Sequence, residues 1–284
     1  MVMESSNETL KKIIEEKEKI KRDQLSYSML RRVIIRADFT SMLDTDKIVS
    51  LLNEDVVEEK KWFGDVFNNY AKLQLIVDDK RVKDATAEEP AKLYVRRFND
   101  CNVTRERPER NVTFDITDQS VCVDIICDDK YTKIDAYLQL VVDTLDFIIK
   151  HDKYVKLTRI AIRKYDAQAF ANGEDADNVF EYFDQGITAP ESDAYWQRTY
   201  TDNFIYGKTN VRTNYTRTLK ITDKENERFV FVLDIDTFLD SDMIENLRPP
   251  KDDLKKILFE RINEASFELF KRGVKLEFLK SKLK

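Results

Sequence analysis

The chain has 284 residues, 42% of them hydrophobic and 36% charged, with 48 basic against 54 acidic side chains and a net charge of −6. Such a length can bury a real core, and the composition excludes a disordered chain. Interspersed signs with an acidic balance make nucleic acid an unlikely partner overall, and only five glycines and five prolines leave little material for phosphate-cradling loops.

Neither a dinucleotide-binding nor a P-loop fingerprint occurs. Cys101, Cys122 and Cys127 are odd in number and form no C-x-x-C pair. With no secretory signal pattern, they point to a reduced, cytoplasmic protein with its strand thiols in the core. No apolar run approaches the ~20 residues of a membrane span, so no membrane partner is expected.

In chain order, residues 1–7 read as frayed and 8–24 as a charged helix with a thin apolar stripe at Leu10, Ile13, Ile14 and Ile20. That stripe is too short for a coiled coil and predicts a helix docked on the body or a dimer contact. Met29–Phe39 alternates as a strand. Asp44 can cap a helix over Thr45–Leu52, because its carboxylate can accept from unpaired first-turn amides. The pattern predicts a helix over Val56–Tyr70, then strands at Leu73–Val77, Lys92–Phe98, Val112–Thr117 and Ser120–Cys127. Tyr137, Leu138, Val141, Leu145 and Ile148 lie at helical spacing within Ile134–Ile149. Val155–Tyr165 alternates again, and Ala171–Asp177 reads as a loop. Val179–Phe183 and Tyr195–Tyr200 read as short helices. Val211–Ile221 and Arg228–Asp236 read as strands, and one long helix is expected over Asp252–Lys280.

Two stretches of similar order can be laid over each other. Val33–Asp38 matches Ile160–Tyr165, Phe114–Gln119 matches Leu219–Lys224, and Val121–Ile125 matches Phe231–Ile235. The expectation is an α+β fold of two similar halves, residues 29–150 and 151–284, behind an N-terminal charged helix over 1–28. Each half would be an antiparallel sheet with helices on one face, and the seam between them is the default place for a ligand or partner.

The candidate site residues are Arg159, Arg163, Asp234, Asp236 and Glu264. Asp234 and Asp236 project from one strand face, a spacing that suits a hard divalent cation. Asp124 stands at the matching place in the first half, and Glu264 could add a ligand from the last helix. The favoured alternative is pairing of these carboxylates with Arg159 and Arg163, which share a face across Ala161. The same two guanidinium groups could instead grip a phosphate or carboxylate. His151, the single histidine, reads as a surface residue, so no histidine-based triad and no zinc site is expected. No catalytic residue, metal or cofactor is assigned. Arginines interleave with aromatics around Tyr94–Phe98, Arg105–Arg110 and Trp196–Arg217, a composition used by protein interfaces and by single-strand readers alike.

Arg159-Ile-Ala-Ile-Arg163, Leu233-Asp-Ile-Asp236 and Ile262-Asn-Glu-Ala-Ser-Phe-Glu-Leu-Phe270 together resemble a sporadically distributed bacterial family without an assigned activity. That family carries an R-I-x-[IL]-R strand, a late L-D-[IV]-D strand and a terminal helix with a His-Glu pair. The resemblance runs from about Met29 to the C-terminus. Two departures stand out: Asn263 occupies the place of the histidine, and Lys164 follows Arg163 where an aromatic is usual. Sporadic distribution implies a place in a mobile-element or defence gene cluster. The sequence therefore reads as a non-catalytic binding or regulatory protein with a protein partner, and a homo-oligomer is the further option. The alternatives are a metal-dependent nuclease or phosphodiesterase and a nucleotide or small-molecule sensor.

Overall fold

The computed structural model describes residues 2–26, 29–40, 43–54, 69–77, 91–99, 112–127, 134–170, 175, 178–181, 197–223 and 228–284. The fold is α+β. Among the described residues, nine antiparallel strands form one continuous sheet: β1 (Leu30–Phe39), β2 (Asn69–Val77), β3 (Ala91–Asn99), β4 (Val112–Thr117), β5 (Ser120–Ile126), β6 (Leu157–Phe170), β7 (Gln197–Tyr206), β8 (Val211–Asp223) and β9 (Arg228–Asp240). Their order across the sheet is β2-β3-β4-β5-β1-β6-β9-β8-β7. The expected separate sheets are thus fused through the β1·β6 pair, which joins residues on either side of position 150.

Alternation sets the two faces of this sheet, because successive side chains point to opposite sides. Val33, Ile35 and Ala37 of β1, Val121, Val123 and Ile125 of β5, and Leu233, Ile235 and Leu239 of β9 are all buried. The described helices cover that apolar side. Helix α3 (Asp135–His151) packs on β1 and β5, and its expected apolar set, from Tyr137 to Ile148, is fully buried. Burying each such side chain stabilises the fold by about 1.5–3 kcal/mol. Helix α2 (Thr45–Glu54) starts as expected at Asp44, whose Oδ1 accepts from the Lys47 amide at 3.1 Å.

Helix α1 runs Val2–Lys19, starting ahead of the expected Glu8, and it docks on the body. Lys17 pairs with Glu181 at 2.7 Å, and the buried Lys271 ammonium donates to the Glu18 and Ile20 carbonyls at the helix end. A cation there satisfies carbonyls that lack intrahelical partners.

The C-terminal run differs from the single helix expected. It consists of α4 (Lys251–Lys255), a π-helical stretch (Lys256–Asn263), α5 (Glu264–Gly273) and, after a break at Val274, α6 (Leu276–Ser281). The break has a tertiary cause: Val274 bridges Phe180, the Glu181 amide donates to the Gly273 carbonyl, and the Lys275 amide donates to the Val179 carbonyl. Gly273 has room for no side chain, since a Cβ there would run into the Tyr215 hydroxyl.

Two further expectations are corrected. Tyr195–Tyr200 is not helical where described, because β7 begins at Gln197, and Tyr70 belongs to β2 rather than to a helix. The predicted helix over 56–68, and Arg105–Arg110 and Cys101, lie outside the described residues. Among those described, no helix is long and apolar enough to cross a membrane.

Candidate functional site

The expected site residues divide between the two faces of the sheet. On the side that no described helix covers, Arg163 grips Asp234 with both ends of its fork, Nε to Oδ1 at 2.9 Å and Nη2 to Oδ2 at 2.6 Å. Arg159 Nη2 donates to both oxygens of Asp236 at 3.0 and 2.8 Å. Ala161 lies between the two arginines, as the strand period requires. The favoured pairing of carboxylates with arginines is therefore what the fold makes.

The pattern extends well beyond these residues. Arg32 grips Asp124 through the same two nitrogens, with Nε to Oδ1 at 2.8 Å, and Arg97 grips Asp115 at 2.8 and 2.6 Å. Arg36 donates to Asp38 at 2.7 Å, and Arg212 bridges Asp240 and Asp242 at 3.2 and 2.6 Å. A band of arginine–aspartate pairs thus crosses the face from β3 to β8. Aromatic rings support the forks: Arg163 lies 4.7 Å over Tyr165, Arg32 lies 6.0 Å over the same ring from its other side of the β1·β6 seam, and Arg159 lies 4.5 Å over Phe238. Exposure is unequal within each pair. The Arg163 and Arg32 side chains are 44% and 45% exposed, against 13% and 25% for their aspartates. Except at Arg212, whose partner Asp242 is the more exposed, the carboxylates lie below the guanidinium groups.

The pairing also sets the protonation. The Asp234 carboxylate holds the Arg163 guanidinium more firmly charged than usual. Burial raises the pKa of Asp236, and Arg159 and Arg163 oppose that rise. Cys122 lies on this face too, not in the core, and burial pushes its thiol up to about 12, which leaves it unreactive at neutral pH.

The residues considered for a cation are not brought together. Asp124 on β5 and Asp234 on β9 are separated by β1 and β6, three inter-strand steps or roughly 14 Å. Glu264 is on the opposite side of the sheet, 3.5 Å from Arg22. Among the described residues, no group of three or more His, Cys, Asp or Glu could hold a metal ion. His151 sits at the end of α3, stacked at 3.9 Å on Phe147, with Nδ1 2.9 Å from the Phe147 carbonyl.

Around Glu264, under the helices, is a second polar cluster that sequence reasoning did not assemble. Lys164 is buried, and its Nζ donates to Asn263 Oδ1 at 2.7 Å. Arg22 caps the cluster, donating to the Asn263 carbonyl at 3.0 Å while lying 4.7 Å over Phe267. Thr237 donates to the Ile162 carbonyl at 3.0 Å, and Asp166 lies buried further along β6. Burial, helped by the Arg22 charge, drives the Lys164 pKa well down, and burial lifts Asp166 to about 7 against the pull of Lys164 and Arg31. Asn263 ends the π-helical stretch, whose wider turn re-aims side chains and recurs at functional sites. Lys164 and Asn263 were each singled out in the sequence, but only the fold shows that they are bonded to each other.

Among the cavities, one of about 290 Å³ lies on the far side of the same helical run, between Ile244–Pro249 and Asp253–Arg261. It opens to solvent and touches neither cluster. No family model, characterised protein or solved structure matches this chain.

Proposed function

We propose that this chain is a non-catalytic binding module that engages a protein partner through the face of the sheet that no described helix covers. The observation that carries the reading is the band of arginine–aspartate pairs, in most of which the guanidinium fork is more exposed than the carboxylate that holds it. Each fork is fixed in place by its own aspartate, so a partner need not immobilise a flexible side chain on binding. Arginine and aromatic groups held this way are the residue types that dominate binding energy at protein interfaces. The band is close to neutral in sum, which favours a partner of mixed charge over a polyanion.

We further propose that the sheet descends from a duplicated unit. Its support is the order of strands read outward from the central pair: β5, β4, β3 from β1, and β9, β8, β7 from β6. The Arg32–Asp124 fork on one side and the Arg163–Asp234 fork on the other occupy corresponding places. A regulatory place in a bacterial mobile-element or defence cluster follows from the family resemblance alone.

The test is retention of a partner by the tagged protein in its native host, with wild type beside an Arg32→Ala/Arg163→Ala variant. A stoichiometric protein that the variant loses supports the reading. Retention that survives the substitutions, or co-purifying nucleotide in place of protein, overturns it.

A further inference from the structure

Strand β7 is the last strand of the described sheet, and β8 is its neighbour on one side. Its outer row of backbone donors and acceptors therefore faces no described strand. Proteins normally blunt such an edge with lysine, proline, a bulge or a short strand. β7 has none of these: it runs ten residues without Lys or Pro, and its register with β8 is unbroken from Gln197 to Tyr206. Tyr200, Phe204 and Ile205 are 42%, 38% and 55% exposed, among the few large apolar side chains so placed.

The sequence of this edge is a chemical palindrome. Gln197-Arg-Thr-Tyr-Thr-Asp-Asn203 reads amide, cation, threonine, tyrosine, threonine, anion, amide. We propose that β7 pairs antiparallel with β7 of a second copy of this chain, about a twofold axis at Tyr200, joining the two sheets into one. A twofold interface requires a self-complementary patch, and this register supplies it. Tyr200 meets Tyr200, Thr199 meets Thr201, Arg198 meets Asp202, and Gln197 meets Asn203. Only an axis at Tyr200 sets Arg198 opposite Asp202; moving it to Asp202 would set that carboxylate against itself, and moving it to Arg198 would oppose two cations.

The chain already uses the same pairings internally. Thr199 and Thr201 bond Thr218 and Thr216 of β8 at 3.1 and 3.0 Å, and Arg217 of β8 holds Asp202 at 2.7 Å. The dimer extends this threonine ladder and adds a second cation beside a carboxylate that is still half exposed.

Sedimentation analysis of the full chain over its soluble concentration range tests the proposal, with circular dichroism to verify the fold of each variant. The wild type is expected to be dimeric. Arg198→Asp sets two anions against each other at both ends of the register, and Asp202→Arg sets two cations, so each alone is expected to be monomeric. An equimolar mixture of the two restores opposite charges at every position and is expected to give a heterodimer. Tyr200→Lys, which brings two ammonium groups to the axis and leaves Arg217 its partner, is expected to be monomeric. It keeps the test valid if Asp202→Arg fails to fold. A monomeric wild type, variants that remain dimeric, or a mixture of the two charge variants that stays monomeric each overturns the proposal.

Discussion

Arg163 and Lys164 are neighbours in the chain, yet they meet opposite fates. Arg163 points to the face that no described helix covers, pairs with Asp234, and has water on one side. Lys164 points under the helices, finds the neutral Asn263 amide and an up-shifted Asp166, and is driven toward its neutral form. One strand step separates an ion pair from a buried amine. Lys164 is driven toward its neutral form because removing a charge from water costs several kcal/mol.

That contrast can be broken first through Asp166. Its folded pKa of about 7 lies above the ordinary 3.8, so its contribution is fully present below about pH 4 and is lost as pH rises toward 7. Unfolding free energy is expected to fall there by on the order of 1 kcal/mol per pH unit. Asp166→Asn should flatten that slope, which urea unfolding across the pH range would measure. An unchanged slope would mean that Asp166 titrates near its ordinary value.

Next in size is Asn263→Leu, which leaves the Lys164 ammonium or amine without its acceptor. Such a buried orphan costs about 1–3 kcal/mol. Adding Lys164→Met should return most of the loss, since replacing both partners by apolar groups is often near neutral. On the other face, Arg163→Ala strands a largely buried Asp234 and should cost about 1 kcal/mol, more than an ordinary surface pair but less than a fully buried one. Arg36→Ala, which removes a half-exposed fork from Asp38, should cost less than about 0.5 kcal/mol and should cost still less in high salt. If all three substitutions cost alike, the two faces do not differ in the way argued.

Much of the scaffold was legible in the chain. Strand alternation located β4 to the residue and β5, β6, β8 and β9 to within a few, and it placed Arg159, Ala161 and Arg163 on one face with their aspartates across from them. β7 escaped because, Tyr206 apart, its described side chains are exposed on both faces. One buried residue at the strand end leaves no apolar alternation to detect. The break at Val274 escaped because its causes, Phe180 and the Val179 carbonyl, lie far away in sequence. Glu264 was expected beside Asp234, but sequence does not say on which side of the sheet a helix returns.

The proposed match between halves shows the same limit. The sequence sets Val33–Asp38 against Ile160–Tyr165, whereas strand register gives Ile34 and Tyr165 the corresponding places, opposite Asp124 and Asp234. The discrepancy is four residues. An even slip leaves every side chain on its own face, so the pattern that identified the strands could not detect it.

The sequence by itself determined which residues point toward the core, which face carries the charged set, and that arginines and aspartates of like spacing would meet. Those features follow from a period of two and from charge alone. Only the tertiary structure decided the strand order, the register and the meeting of Lys164 with Asn263, 99 positions apart in the chain. Residues so far apart meet only because the π-helical stretch packs on β6.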